Sequence, residues 1–346
     1  MSGESDGAGD PAPQRPDPLE TQPAPASPDA ADSHAGAWES ETEASRPRAG
    51  GDKPPVWQSL KASVRGASHR RTGLPNQDAV RLWRSADGQR LVLGLADGHG
   101  SAKSFRSRQG ARLAVAVALT VGARLPACAP APQRKRWAED AWPTELVRAW
   151  QAAVDARLAR QPLGENEFGA LDARDRAQVE ANPRLAYGTT LISVILTAEA
   201  ILYLQIGDGD LLAVAADGTL ARPLPLDPRL IANETTSLCA AHAWREARVY
   251  CQTLAGAPPA LILAASDGYA NAFRDDAGFR QVALDLWSLL QVEGRATLAG
   301  NLPGWLTEAS EQGSGDDISV GLLWRGPQGP TSSDSPAASE PDSAPI

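Results

Sequence analysis

The sequence predicts an α+β protein built from mainly antiparallel sheets with helices packed outside them. Short apolar segments with strand character outnumber helical segments, and few of them alternate one-for-one with helices, which argues against a doubly wound parallel sheet. A turn pair, Asp87-Gly88, connects two of the apolar segments in the manner of a hairpin.

Strands are predicted where a short apolar or alternating segment is bounded by turn residues. They cover 59–67, two segments of 79–97, three or four segments of 188–223, 248–253, 260–268 and 317–325. Helices are predicted from apolar periodicity. They cover 104–123, 143–161, 280–292 and 303–312. Thr144 is the predicted N-cap of the second helix, and the polar residues 161–183 are predicted to hold at most a short helix.

Both terminal segments differ in composition from the middle of the chain. Residues 1–55 hold ten of the 28 prolines, with 11 acidic and 4 basic residues, and residues 326–346 are rich in Ser, Pro and Ala. Neither segment has enough apolar surface to offset the entropy of ordering, so both are predicted to be disordered. The folded domain is therefore predicted to cover residues 56–325.

The acidic character of the chain resides in these tails. Their charges sum to −7 and −3, and subtracting −10 from the net charge of −9 leaves +1 for the middle. A nearly neutral domain argues against a nucleic-acid partner, which would require a strongly basic face.

Cysteine use and hydropathy predict a cytoplasmic protein without a membrane partner. Cys128, Cys239 and Cys251 are widely spaced and odd in number, which excludes a disulfide framework and a cysteine-rich zinc site. The N-terminus lacks a basic patch followed by an apolar stretch, so no signal peptide is expected. The longest apolar run is about half of the ~20 residues that a bilayer requires. The oligomeric state does not follow from the sequence.

Acidic residues near turns occur in two contexts. The Asp-Gly pairs at Asp87 and Asp217 lie between polar-flanked strands and are explained by turn chemistry. The others lie at the ends of strongly apolar strands: Asp97, Asp208 and Asp267 after a strand, and Asp316-Asp317 before one. Each taken singly is explained as a solvated turn residue. Several carboxylates converging on one spot would instead require a divalent cation.

Six motifs in series resemble those of the metal-dependent protein Ser/Thr phosphatases of type 2C. They are GLPNQDA, LADGHG, YGTTL, IGDGDLL, ASDGYANAF and SGDDISV, and their order, spacing and strand context match from about Ser59 to Arg325. The resemblance implies a four-layer α-β-β-α sandwich with a pair of Mn²⁺ or Mg²⁺ ions at one end. It also implies that a water or hydroxide bridging the two ions attacks the phosphorus directly, without a phosphoenzyme.

The resemblance assigns roles residue by residue. Asp97 is the implied bridge between the ions, and the Gly98 carbonyl completes one coordination shell. Asp267 and Asp316 are implied ligands of the other ion, and Asp78 coordinates directly or through water. Such hard oxygen ligands suit Mg²⁺ or Mn²⁺.

Two further roles concern the substrate. His99 matches the general acid that protonates the leaving group, a task suited to an imidazole. The phosphate-binding arginine of the family precedes the first acidic pair, where Arg65, Arg70 and Arg71 are candidates. We select Arg70.

Two positions depart from the family pattern. Gln77 stands where a glutamate is usual, so one ion loses a negative ligand, and either Asp78 compensates or that site binds its metal more weakly. Asn271 stands four residues after Asp267, where a second aspartate is usual, which weakens the support for Asp208 as a ligand of a third ion. Four residues are therefore candidates for contacting the metal ligands from behind or for binding a third metal: Gln77, Asp208, Asn271 and Asp317.

The predicted function is a bacterial-type phosphoprotein phosphatase whose substrate is the product of a Ser/Thr kinase. The alternative is a non-catalytic phosphoprotein-binding or regulatory module on the same fold with a weakened metal site, which Gln77 and Asn271 favour slightly. A structural Ca²⁺ site without catalysis would leave His99 unexplained. The presence of His99 and of three implied ligands favours the enzyme.

Overall fold

The computed structural model describes residues 56–125, 130–227, 235–255 and 258–326. The two predicted tails, residues 1–55 and 326–346, lie outside these ranges except for Gly326, and so does Cys128.

The strands of the described residues form two five-stranded antiparallel sheets. The strands are β1 (Val56–Val64), β2 (Ala79–Arg84), β3 (Leu91–Ala96), β4 (Leu191–Leu196), β5 (Ala200–Ile206), β6 (Asp210–Val214), β7 (Leu220–Ala221), β8 (Arg248–Thr253), β9 (Leu261–Ala265) and β10 (Ile318–Gly326). The first sheet has the order β1-β10-β9-β6-β7 and the second sheet the order β2-β3-β4-β5-β8. Neighbouring strands are antiparallel throughout. The predicted fold class is therefore confirmed.

Helices cover the outer faces of both sheets. They are α1 (Ala67–Thr72), α2 (Ser107–Ala123), α3 (Ala131–Arg136), α4 (Trp142–Arg160), α5 (Glu165–Phe168), α6 (Ala173–Ala181), α7 (Asp267–Ala270), α8 (Asp276–Val292) and α9 (Gly294–Ala309). Among the described helices, none combines the length and apolarity needed to cross a bilayer.

Three apolar clusters separate the four layers. The first lies between the second sheet and α2 and α4, the second between the first sheet and α8 and α9, and the third between the two sheets. On β3, Val92 joins the helix-facing cluster while Leu93 joins the one between the sheets, as the period of two of a strand requires. Because both faces of β3 are covered, the strand reads in sequence as a continuous apolar run.

The two sheets approach closely where β10 faces β3. A Cβ atom on Gly321 would lie 2.6 Å from Leu93 Cδ1. No real Cβ contact is that short, so glycine at this position allows the Leu93 side chain to sit directly against the backbone of the first sheet. The separation of the sheets at this point is set by a contact between Leu93 and a residue without a side chain.

The helix predicted from residue 143 begins differently. The sequence predicts Thr144 as its N-cap, but α4 begins at Trp142, directly after a π-helical stretch at Trp137–Ala141, and its N-cap residue is Ala141 in a helical conformation. The chain is therefore helical before Thr144, and no unpaired N–H groups remain for that side chain to cap. The prediction of Thr144 as the cap is wrong.

The last helix is longer than predicted. The predicted start is Pro303, but α9 begins at Gly294 and contains Pro303 in its interior. Leu298, Leu302 and Leu306 follow one another at a spacing of four and are fully buried against the first sheet. Their burial outweighs the cost of an internal proline, because helix stability in proteins comes mostly from packing of the apolar face.

Candidate active site

The register of the second sheet brings two aspartates together. Ala79 at the start of β2 pairs with Ala96 at the end of β3. Asp78 and Asp97 are the next residues outward on each strand, so they lie side by side at one end of the sheet. The carbonyl of Asp97 accepts hydrogen bonds from the Thr190 N–H at 2.8 Å and the Thr189 hydroxyl at 2.6 Å, which fix the strand end.

The register of the first sheet brings three more aspartates together. Ala265 at the end of β9 pairs with Asp210 of β6 on one side and Val320 of β10 on the other. The end of β9 therefore meets the beginnings of β6 and β10. Asp267 follows β9, while Asp208 precedes β6 and Asp316 precedes β10.

These strand ends border one cleft of about 580 Å³. Its described lining includes four of the aspartates, Asp97, Asp208, Asp267 and Asp316, together with His99 and Lys103. Asp78 does not line the cleft but is buried behind it, beside Asp97. A separate apolar cavity of about 560 Å³ between α8 and α9 contains none of the predicted site residues.

Burial and mutual repulsion disfavour the ionised forms of these carboxyls. Burial raises the pKa of Asp97 well above its usual range, and the charges of Asp78 and Asp267 add to the rise. Burial and the charge of Asp317 raise the pKa of Asp78 to about 7. Burial also raises the pKa of Asp267. Such a cluster keeps its charge at neutral pH only when a cation joins it.

Several oxygens of this cluster are buried without a hydrogen-bond partner among the described residues. They are Gln77 Oε1, both carboxylate oxygens of Asp78, and Asp267 Oδ1. Buried acceptors of this kind are rare and costly, and each needs a partner. Carboxylate and amide oxygens are the ligands that Mg²⁺ and Mn²⁺ prefer. The donor set therefore fits hard divalent cations.

Asp317 has a structural position rather than one on the cleft. Its side chain is 2% exposed, and it accepts the Gly66 N–H at 2.6 Å and the Gln77 N–H at 2.6 Å. Its second oxygen also lies 2.9 Å from His69 Nδ1. His69, Asp316 and Asp317 have ligand atoms close enough to share a metal ion. Both Asp317 oxygens already accept backbone hydrogen bonds. We therefore interpret Asp317 as a structural residue that holds the backbone of Gln77 in place.

Glycines distinguish the aspartates of the site from those of ordinary turns. Gly88 and Gly218 have φ of +71° and +86°, and a Cβ atom added at either one would have nothing within 4 Å. At Gly98 a Cβ atom would lie 2.8 Å from the Gln77 carbonyl oxygen, and at Gly268 it would overlap the Asp317 carbonyl. The first two glycines serve turn conformation, and the last two allow backbones to meet at the site.

The comparison with family models agrees with this arrangement. A model described as protein phosphatase 2C matches residues 65–307. The chain belongs to the protein phosphatase 2C family. No curated protein shows a significant match to the sequence.

Solved structures share the fold at low sequence identity. A bacterial serine phosphatase is 14% identical, with a TM-score of 0.52, and the match covers 79% of this chain and 99% of that one. Serine/threonine phosphatase Stp1 from Staphylococcus aureus is 12% identical, with a TM-score of 0.50, and covers 81% and 100%. The catalytic domain of the serine threonine protein phosphatase PstP in complex with two manganese ions is 18% identical, with a TM-score of 0.47, and covers 78% and 98%.

His99, the residue that matches the general acid of the 2C phosphatases, lies on the cleft in the loop after β3. Its backbone N–H donates to the Gly188 carbonyl at 3.1 Å, and its ring packs so closely on Gly188 that a side chain there would lie 2.6 Å from His99 Cδ2. Burial lowers the pKa of His99, Asp208 opposes this effect, and Lys103 adds to it. The protonated fraction at neutral pH is therefore smaller than that of an ordinary histidine.

The structure does not bring Arg70 to the cleft. Arg70 lies in the last turn of α1, where its guanidinium pairs with Glu311 at 2.8 Å, and both side chains are exposed. Gly98 forms a β-bridge with Thr189 and is buried behind the lining residues. Asn271 donates from Nδ2 to Asp267 Oδ2 at 3.1 Å, so it supports that carboxylate instead of extending the acidic cluster.

Sequence reasoning missed Lys103, although it lines the cleft. It lies in a 3-10 turn, Ala102–Ser104, and its Nζ donates to Gln178 Oε1 of α6 at 3.2 Å. The DGHG motif ends just before this turn, but no local pattern indicates that the side chain lines the same cleft as the aspartates. That arrangement depends on residues from distant parts of the chain.

Proposed function

We propose that the protein is a metal-dependent phosphoprotein phosphatase that hydrolyses phosphoserine or phosphothreonine. The observation that carries the proposal is the convergence of Asp97, Asp208, Asp267 and Asp316, from four separate strand ends, on one cleft. The membership in the protein phosphatase 2C family supports it. The substrate is then a phosphoprotein that a Ser/Thr kinase has produced, and the free thiols of Cys239 and Cys251 are compatible with a reducing, cytoplasmic location.

Asp78, Asp97, Asp267 and Asp316 would hold two divalent cations, Mn²⁺ or Mg²⁺, with the Gly98 carbonyl. The partnerless buried oxygens of Asp78 and Asp267 support this assignment. When bound, such ions lower the pKa of water and neutralise charge that develops on a phosphoryl group. Asn271 carries no charge and already donates to Asp267, so we do not propose a third ion.

The residues of the chain itself would orient the substrate and move a proton. His99 is within the cleft, held by Gly188, and would protonate the alkoxide oxygen of serine or threonine as its bond to phosphorus breaks. The balanced reaction consumes one water and one phosphomonoester and yields the free hydroxyl and inorganic phosphate.

Turnover of p-nitrophenyl phosphate tests the proposal. We expect hydrolysis with Mn²⁺, loss of hydrolysis with EDTA, and loss in Asp97→Asn, because the asparagine lacks the negative charge that would help to hold the cations. Equal and negligible rates for the wild type in Mn²⁺ and EDTA would overturn the enzyme assignment. That result, combined with Mn²⁺-dependent binding of a phosphopeptide, would favour the non-catalytic module.

A further inference from the structure

We infer that Lys103 binds the phosphoryl group of the substrate in the candidate active site. This inference rests on the proposed function, and it assigns the phosphate contact to a residue outside the motifs that indicate the family. It also replaces Arg70 in the role that the sequence resemblance implied for that arginine.

The charge of the cleft requires a cation from the protein. The four aspartates of the lining carry a formal charge of −4 when ionised. Asp78, buried beside Asp97 and also assigned to the ions, adds a fifth negative charge. Two divalent cations would therefore leave a sum of −1, and a phosphomonoester dianion would meet a net repulsion. Among the described lining residues, Lys103 is the one with a permanent positive charge. A lysine ammonium is a strong point-charge donor to phosphate oxygens.

Lys103 differs from the nearby arginines in the charge of its hydrogen-bond partner. Arg106 is buried and paired bidentately with Glu167 at 2.6 Å for both contacts. Arg70 pairs with Glu311 at the surface. Lys103 instead contacts the neutral amide of Gln178. Among the residues that the structure describes, no carboxylate pairs with its charge.

The turn that carries Lys103 is held in place next to His99. The Ser104 hydroxyl donates to the Leu185 carbonyl at 3.1 Å, which ties the turn to the segment that precedes Gly188. His99 packs on that same glycine. His99 and the turn of Lys103 are thus both held against the segment that ends at Gly188. Such fixed positions are what the positioning of a substrate requires.

A purely structural role for Lys103 is the competing explanation, since its contact with Gln178 joins the turn to α6. Two variants separate the explanations. Lys103→Met removes the charge and the contact, whereas Gln178→Ala removes the contact and keeps the charge. Lys135→Met is a matched control, because Lys135 is 65% exposed and lies outside the described cleft lining.

The experiment measures kcat, KM and the inhibition constant of inorganic phosphate with the full chain in Mn²⁺. For Lys103→Met we expect KM for p-nitrophenyl phosphate and the inhibition constant of phosphate to rise at least about tenfold, the loss typical of a charge-assisted hydrogen bond. Lys103→Arg should recover most of this loss. Gln178→Ala and Lys135→Met should stay within about twofold of the wild type.

Three results would overturn the inference. One is an unchanged phosphate inhibition constant in Lys103→Met. Another is an equal loss in Gln178→Ala, which would indicate a structural role. The third is a tenfold rise in the phosphate inhibition constant of Arg70→Met with no rise in that of Lys103→Met, which would assign phosphate binding to Arg70. If the wild type itself has no Mn²⁺-dependent turnover, the proposed function fails instead, so the two failures are distinguishable.

Discussion

The carboxylate of Asp317 accepts the backbone N–H of Gln77 at 2.6 Å, although 240 positions separate the two residues in the chain. This contact joins the last acidic motif to the first one. It also places Asp78, the neighbour of Gln77, behind Asp97. The buried Asp317 carboxylate thus fixes the position of the Gln77-Asp78 segment, which precedes β2 of the second sheet, relative to the strand ends of the first sheet.

Asp317→Ala should destabilise the metal-free protein by roughly 3 kcal/mol, because the Gly66 and Gln77 N–H groups would remain buried without an acceptor. Urea unfolding in EDTA measures this change. The matched variant is Asp316→Ala, whose carboxylate is exposed to the cleft. It removes a single backbone hydrogen bond, from the Asp317 N–H at 2.7 Å, so it should cost about 1 kcal/mol of metal-free stability and should mainly weaken Mn²⁺ binding. Similar stability losses in both variants would contradict the division of roles.

The stability of the metal-free protein should fall as pH rises from about 5 to 8. The folded-state pKa of Asp78 is raised from 3.8 to about 7, so the carboxyl is protonated more readily in the folded than in the unfolded chain. Its contribution is fully present below the unfolded pKa and is lost as pH rises through the folded pKa, a loss of roughly 2–4 kcal/mol.

Thermal unfolding in EDTA at a series of pH values measures this loss. Asp78→Asn should reduce the slope of the profile, since an amide does not titrate in this range, and the remaining slope comes from Asp97 and Asp267, whose pKa values are also raised. Mn²⁺ should also remove the loss, because metal binding favours the ionised carboxylate. A metal-free protein that gains stability between pH 5 and 8 would contradict the expectation.

His99→Ala should leave Mn²⁺ affinity within about twofold and lower kcat for a phosphoserine peptide by roughly 10²- to 10⁴-fold. The defect should be smaller for p-nitrophenyl phosphate, because p-nitrophenolate leaves without being protonated. Isothermal titration with Mn²⁺ and steady-state kinetics on both substrates measure these values. Equal defects on the two substrates would exclude the general-acid role.

Gly268→Ala should weaken Mn²⁺ binding and cost about 1–3 kcal/mol of stability, because the added methyl group would overlap the Asp317 carbonyl and displace Asp267. Gly218→Ala is the control. Its φ of +86° makes alanine unfavourable by about 1–2 kcal/mol, but open space surrounds it and no predicted ligand is near. Mn²⁺ affinity should therefore be unchanged there, and a loss equal to that of Gly268→Ala would contradict the expectation.

Gln77→Glu should tighten Mn²⁺ binding by about tenfold while lowering metal-free stability. The Gln77 Oε1 atom is buried without a partner among the described residues, and a carboxylate there would add a charge to an already repulsive cluster. Activity as a function of Mn²⁺ concentration and unfolding in EDTA give the two readouts. Saturation of the wild type at low micromolar Mn²⁺ would show that the glutamine does not weaken the site.

The strands and the positions of the aspartates were accessible from sequence because both depend on local patterns. An apolar run such as β9 followed by Asp267-Gly268 identifies a strand end without any knowledge of its partners. Short helices were accessible only in part, because the sequence predicts at most a short helix in residues 161–183, where the structure has two, α5 and α6. With only four residues, α5 and α7 cannot show helical periodicity, and α6 buries a single apolar side chain, Val179, so it has no apolar stripe.

The parts of the site that sequence reasoning missed depend on contacts across long separations. Lys103 contacts Gln178, 75 residues away. The sequence names Asp317 as a candidate for contacts behind the ligands, but it does not indicate its partner Gly66, which is 251 positions away. The choice of Arg70 depends on its proximity to Gln77 along the chain. In the folded protein α1 turns its last residues toward Glu311, and the helix itself is absent from the sequence-based prediction.

The close contact between Gly321 and Leu93 has a consequence for variation far from the cleft. Asp78 and Asp97 border one sheet, and Asp267 and Asp316 border the other, so the gap between the two sheets is also the gap between two halves of the predicted ligand set. A side chain in place of Gly321 would meet the end of the Leu93 side chain, which would have to shift within the core between the sheets. Interior substitutions of this kind should affect Mn²⁺ binding while leaving every predicted ligand intact, and a screen confined to the cleft would overlook them.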